Sequence, residues 1–146
     1  MKKMKILLLI FLAMSLSACS LLEEVNNSLD YVNTATTHIN NLSAFAEAAP
    51  QMMEDAVTNP EALKELETEL STLKVQIEEF IALENIPTIA ESIHQELIAK
   101  NEALLAEINA VMENGNLVIE QLENSQIVTT ITEVTTLLNQ LENLTQ

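Results

Sequence analysis

From Leu22 to Leu144 the apolar residues recur at intervals of three and four, the spacing that lines them along one side of an α-helix. The best-kept run is Leu63, Leu66, Leu70, Leu73, Ile77 and Phe80, a heptad seam of more than two repeats. Its outer side carries Glu61, Glu65, Glu69, Glu78 and Glu79, with Lys64 and Lys74. Asn59-Pro60-Glu61 marks the start of this helix. The asparagine supplies a capping oxygen, and the proline sits where an amide would lack a partner anyway. An earlier helix is predicted from the capping box Ser20-Leu-Leu-Glu23, with apolar positions at Leu22, Val25, Leu29, Val32, Ile39, Leu42, Phe45 and Ala49. Its pattern thins between Asn33 and Asn41. Pro50 is expected to close it, leaving residues 51–58 as a connector.

After Ile86-Pro87, Thr88-Ile-Ala-Glu91 reads as a second capping box. The helix it opens carries Ile93, Leu97, Leu104, Ile108 and Val111, broadened by Leu105 and Met112, and runs to about Glu113. Asn114-Gly115-Asn116 ends it, Gly115 suiting the left-handed position just past a helix. Leu117 to Glu123 forms a short turn. A last helix follows Ser125, with Ile127, Ile131, Val134, Leu138 and Leu141 at spacings of four and three, widened by Leu137 and Leu144. Its opening, Ile127 to Thr136, is rich in β-branched residues, which favour strands. The period is that of a helix, and no partner strand stands elsewhere, so helix is the reading. Four such rods joined by short connections make neighbours antiparallel. The expected fold is all-α, an antiparallel up-down bundle of four helices.

The residues ahead of this bundle follow another logic. Lys2, Lys3 and Lys5 precede an apolar run from Ile6 to Ala18 that ends in small residues, the layout of a secretory signal. As a helix the run would span about 20 Å, short of a hydrocarbon core of about 30 Å. Leu16-Ser17-Ala18-Cys19 resembles the bacterial lipobox: a leucine, two small residues and an acceptor cysteine. The resemblance implies that the thiol of Cys19 receives a diacylglyceryl group and that cleavage makes Cys19 the first mature residue. Cys19 is the single cysteine of the 146-residue chain, and lipidation accounts for a thiol with no disulfide partner. Two acyl chains hold where one is marginal. The chain thus divides into a signal peptide, 1–18, and an acidic helical domain, 19–146. With helix and anchor nearly adjoining, the bundle is expected to sit close to the bilayer.

Charge narrows the function. Three of the six lysines leave with the signal and none of the 22 acids does, so the mature side chains sum to −19. Arginine is absent, and Gly115 is the single glycine. No basic face exists for nucleic acid or for anionic lipid, and no arginine or glycine-rich loop for phosphate. A cationic partner or divalent cations stay open. With no tryptophan, and Tyr31, Phe45 and Phe80 as the mature aromatics, the core must be built of aliphatic residues.

Candidates for chemistry are few. Glu91-Ser-Ile-His94 has the spacing of one half of a di-metal ligand set in a helical bundle. His38 has Ala35 in place of the second glutamate, so the set is incomplete. His94 then reads as a surface histidine beside a first-turn acid. No serine or threonine stands in a recognisable motif with either histidine. Asn101, near the third helix's seam, either fixes helix register or lies just off the seam in water. Met52-Met53 serves either as an apolar contact patch or as a lid on the bundle core. No catalytic, metal or cofactor-binding residue is expected, and the chain reads as a non-enzymatic protein.

Beyond the lipobox, "CSLLEEVNNSLDYVN" and "ITEVTTLLNQLENL" resemble a family of small all-helical lipoproteins of Gram-positive bacilli with no assigned activity. The resemblance implies attachment to the outer face of the cell membrane; in a Gram-negative host, Ser20 would direct sorting to the outer membrane. The expected role is an interaction or structural module of the envelope, meeting the membrane through Cys19 and another envelope protein, with self-association open. The alternative is a cation- or small-ligand-binding lipoprotein.

Overall fold

A computed structural model describes residues 17–113 and 116–145. Helix α1 spans Ser17–Thr58 and α2 Pro60–Ile81. A 3-10 turn at Thr88–Ala90 leads into α3, Glu91–Val111. Two-residue strands β1, Met112–Glu113, and β2, Asn116–Leu117, precede the short α4, Ile119–Glu123. The chain closes with α5, Ile127–Thr135, α6, Leu138–Glu142, and a 3-10 turn at Asn143–Thr145. The fold is all-α. The segment ahead of Ser17, with most of the expected signal peptide, lies outside the described residues.

Helix α1 corrects the expected stop at Pro50. It passes through the proline and continues for two further turns. The reason lies in the seam. Ala35, Ile39, Leu42, Ala46, Ala49, Met53 and Ala56 alternate four and three without a phase shift, and all are buried or half-buried. Core packing after the proline offsets the hydrogen bond that Pro50 cannot donate to the Ala46 carbonyl. Pro50 itself is exposed, so its ring displaces nothing in the core.

Asn59 alone joins α1 to α2. Its side-chain oxygen accepts from the Glu61 amide at 2.9 Å, as the sequence predicts for a cap. A single-residue joint folds the two helices back on each other, and Leu66, Leu70, Leu73, Ile77 and Phe80 face α1 and the core. Between α2 and α3, Asn85 adopts a φ of 61°, the left-handed region that asparagine tolerates better than most residues. The Thr88 capping box does not form. No side chain caps this end; the Ala90 amide donates to the Pro87 carbonyl at 2.8 Å in a tighter 3-10 turn that carries Ala90 into the core.

The end of α3 also differs from expectation. Instead of a glycine cap, β1 and β2 pair antiparallel, Met112 with Leu117 and Glu113 with Asn116. Asn114 and Gly115, between them, lie outside the described residues. The hairpin seats Leu117 in the core, and the Leu117 amide donates to Glu67 on α2 at 3.0 Å. The β-branched stretch is helical as read, though the last helix is broken. At Thr136–Leu137 the hydrogen bonding tightens, the Leu137 amide donating to Val134 at 3.0 Å, before α6 resumes.

Four helices close a ring: α1 packs on α2 and α5, and α3 on α2 and α5. Side-chain bonds give the directions. Lys74–Asn109 and Glu67–Leu117 run α2 against α3, while Thr130–Glu107 and Lys100–Glu133 run α3 against α5. Tyr31–His94 and His38–Asn101, each 63 residues apart, run α1 parallel to α3. That is the up-down-up-down order.

Helix α1 extends ahead of the core. Val25 and Leu29 are 52% and 45% exposed, and from residue 25 on the first buried side chain is Tyr31. Twelve residues of helix, about 18 Å along the axis, separate Cys19 from that point.

Candidate functional site

The most concentrated chemistry lies inside the bundle, at the end where α1 enters it. Seams on α1, α2 and α3 deliver Tyr31, His38, Phe80, His94 and Asn101 to one layer of the core, and all five are buried. His94 is therefore not the surface residue expected from its place beside Glu91. It sits one residue beyond seam position Ile93, on the side of α3 turned toward α1. Asn101 is fully buried, which decides its two readings in favour of a buried register element.

The pairings follow from what each group can donate. Asn101 Oδ1 only accepts, so His38 Nε2 carries the proton and donates to it at 2.8 Å. Asn101 Nδ2 donates back to the Leu97 carbonyl one turn earlier, also at 2.8 Å. Burial holds His38 below the usual histidine range, the Asn101 bond partly opposing it. Burial likewise lowers His94 and pushes the Tyr31 phenol up to about 12. Tyr31 Oη and His94 Nδ1 are hydrogen-bonded at 3.2 Å, the imidazole tautomer deciding which of them donates. Phe80 bridges the two pairs. Its ring stacks on His38 with centroids 4.2 Å apart and 7° between planes, and meets His94 at 5.7 Å. The histidines bind protons weakly, the phenol keeps its own, and the two bonds tie α1 to α3. Neither histidine is set against a nucleophile.

Among the described residues, no group of three His, Cys, Asp or Glu side chains converges as a metal site. Among the described residues, half-buried Glu107 carries the buried side-chain atom without a partner: Oε1 accepts from Thr130 at 2.9 Å, and Oε2 has no hydrogen-bond partner. It lines an open pocket of about 520 Å³ with Gln121, Asn124, Ser125 and Gln126. Cys19 falls in the first turn of α1, and its side chain lies outside the described residues. No described helix is long and apolar enough to cross a membrane. Met52 and Met53 are half-buried against the core.

Sequence reasoning passed over the layer because it weighed each polar residue alone. A signal was present. Tyr31 and His38 on one helix, His94 and Asn101 on another, are each one heptad apart, and all four fall on or beside a seam.

Residues 31–144 match a family of unknown function, DUF6376. The chain belongs to this family. The match opens at Tyr31, the first buried side chain from residue 25 on, and so covers the bundle rather than the helix leading into it. A protein of Bacillus subtilis (strain 168), named as the uncharacterized lipoprotein YybP, is 31% identical over 147 residues, covering 97% of this chain and 99% of its own length. No solved structure matches. The resemblance to small bacterial lipoproteins drawn from the sequence agrees with these matches.

Proposed function

We propose that this chain is a non-enzymatic lipoprotein, anchored through Cys19 to the outer face of the cell membrane, whose acidic bundle presents a binding surface to another envelope protein. One coincidence carries the reading: the single cysteine closes a lipobox at the end of an apolar segment, and a relative similar over its full length bears the name lipoprotein. The buried polar layer supports a module built for fixed shape rather than turnover, since its groups are bonded to one another. The helix between Cys19 and Tyr31 is a spacer that holds the bundle away from the lipid. Metabolic labelling with palmitate in the native cell tests the anchor. The chain is expected to take up label and fractionate with membranes, and Cys19→Ser to lose both; label retained by Cys19→Ser would sink the reading.

A second reading, cation or small-ligand binding, draws on the unpartnered Oε2 of Glu107 beside a pocket lined by amides. At −19, any salt stabilises by screening self-repulsion. Only a larger melting shift in calcium than in sodium at matched ionic strength favours a specific site.

A further inference from the structure

The outer side of the α1–α2 pair carries an open groove of about 580 Å³. Its floor is apolar, formed by Phe45, Met52 and Leu73 with the small residues Ala44, Ala48 and Ala62. Its rim is acidic: Asp55 on α1, and Glu65 and Glu69 on α2, all exposed. No lysine lines it. Lys74 is turned the other way and donates to Asn109 on α3 at 2.8 Å.

The lining has a period. On α2, Ala62, Glu65, Glu69, Thr72 and Gln76 alternate three and four, a second seam beside the buried one. On α1, Ala44, Ala48, Met52 and Asp55 keep the matching spacing. The α1 side is small and apolar at Ala44 and Ala48 and the α2 side is mostly polar, and together, on packed helices, they leave room for the side chains of one more helix. The groove extends from Asn41 to Asp55 and from Ala62 to Gln76, about 21 Å along each helix, or roughly four turns of an occupant. The occupant must be apolar on the face that meets the alanines and basic on its flanks, to answer three carboxylates. A second copy of this chain fails the charge requirement, because every copy carries −19.

We propose that this groove receives a basic, amphipathic helix of another envelope protein. The inference rests on the surface-presenting role above and names the surface and the chemistry of its partner. The test is site-specific photocrosslinking of the lipidated chain in its native cells. The photoreactive residue replaces Ala48 or Thr72 in the groove, or Glu102 or Ala106 on the exposed side of α3, and crosslinked peptides are sequenced by mass spectrometry. The expected result is one adduct from the groove positions, within a segment with lysine or arginine flanking an apolar helical stripe. Glu65→Lys with Glu69→Lys should cut its yield by about ten-fold or more, and Glu96→Lys with Glu102→Lys by less than about two-fold. Adducts from α3 alone overturn the groove while leaving the surface-presenting role standing. Adducts to an acidic segment or to a second copy of this chain, or yields insensitive to the Glu65 and Glu69 reversals, also overturn it. No adduct from either face removes both.

Discussion

At the end of the bundle where α1 enters, Tyr31, His38, Phe80, His94 and Asn101 fill the core with rings and directed hydrogen bonds. Toward the other end Leu66, Leu70, Leu104, Ile108 and Ile127 fill it with aliphatic side chains, nearly all without contact with solvent. The aliphatic part removes the most apolar surface from water and so carries most of the stabilisation. It says little about register, because leucine and isoleucine seams look much the same one heptad along. The polar layer adds less energy and more information. His38 finds its acceptor only if α1 and α3 stand at one offset, and Tyr31 finds His94 at that same offset.

The comparison breaks first under truncation. Leu104→Ala should destabilise by about 2–5 kcal/mol in urea titration, as a fully buried leucine leaves a cavity. A loss below 1 kcal/mol would mean that the aliphatic end is not the stabilising one. Next comes the polar layer. Asn101→Leu strands the His38 Nε2 proton and should cost about 1–3 kcal/mol, whereas adding His38→Leu should recover most of that loss. If the polar layer sets register, the double variant keeps its stability but loses a single sharp set of side-chain NMR signals.

Acid should act on the polar layer through its two histidines. Burial holds both histidines below their unfolded value of 6.5, so the unfolded chain takes up protons first as pH falls. Their contribution is complete above that value and is lost as pH drops through the folded values. Between pH 7 and pH 5 the urea midpoint should therefore fall further for the natural chain than for His38→Gln with His94→Gln. Parallel falls would show that the histidines are not the cause. The smallest effect belongs outside both regions. Lys100 and Glu133 pair at 2.8 Å with Glu133 more than half exposed, and Lys100→Ala should cost about 0.2–1 kcal/mol, shrinking with salt.

Where apolar spacing alone decided the structure, the sequence was readable. The seam from Leu63 to Phe80, the Asn59 cap and the helical reading of the β-branched stretch all stand in the fold. Where a local rule competed with packing, packing prevailed. Pro50 reads as a terminator, yet Ala46, Ala49, Met53 and Ala56 carry the seam past it, and alanines are easily passed over as core. Asn114-Gly115 suits both a helix end and a two-residue hairpin loop, and the burial of Leu117 that accompanies the hairpin belongs to tertiary structure. His94 was placed wrongly because its neighbour Glu91 suggested solvent, while its true partner stands 63 residues away. The groove between α1 and α2 was half visible: Glu65 and Glu69 of its rim were read, and Asp55 and the alanines Ala44 and Ala48 were not.

Helix α1 runs unbroken from Ser17 to Thr58, and α2 and α5 lie along it. A pull on its first residues would load the molecule along that axis. The interfaces with α2 and α5 would then bear the force in shear, many contacts at once, instead of peeling open one after another. Were the chain anchored as proposed, a load would reach the bundle along its longest helix.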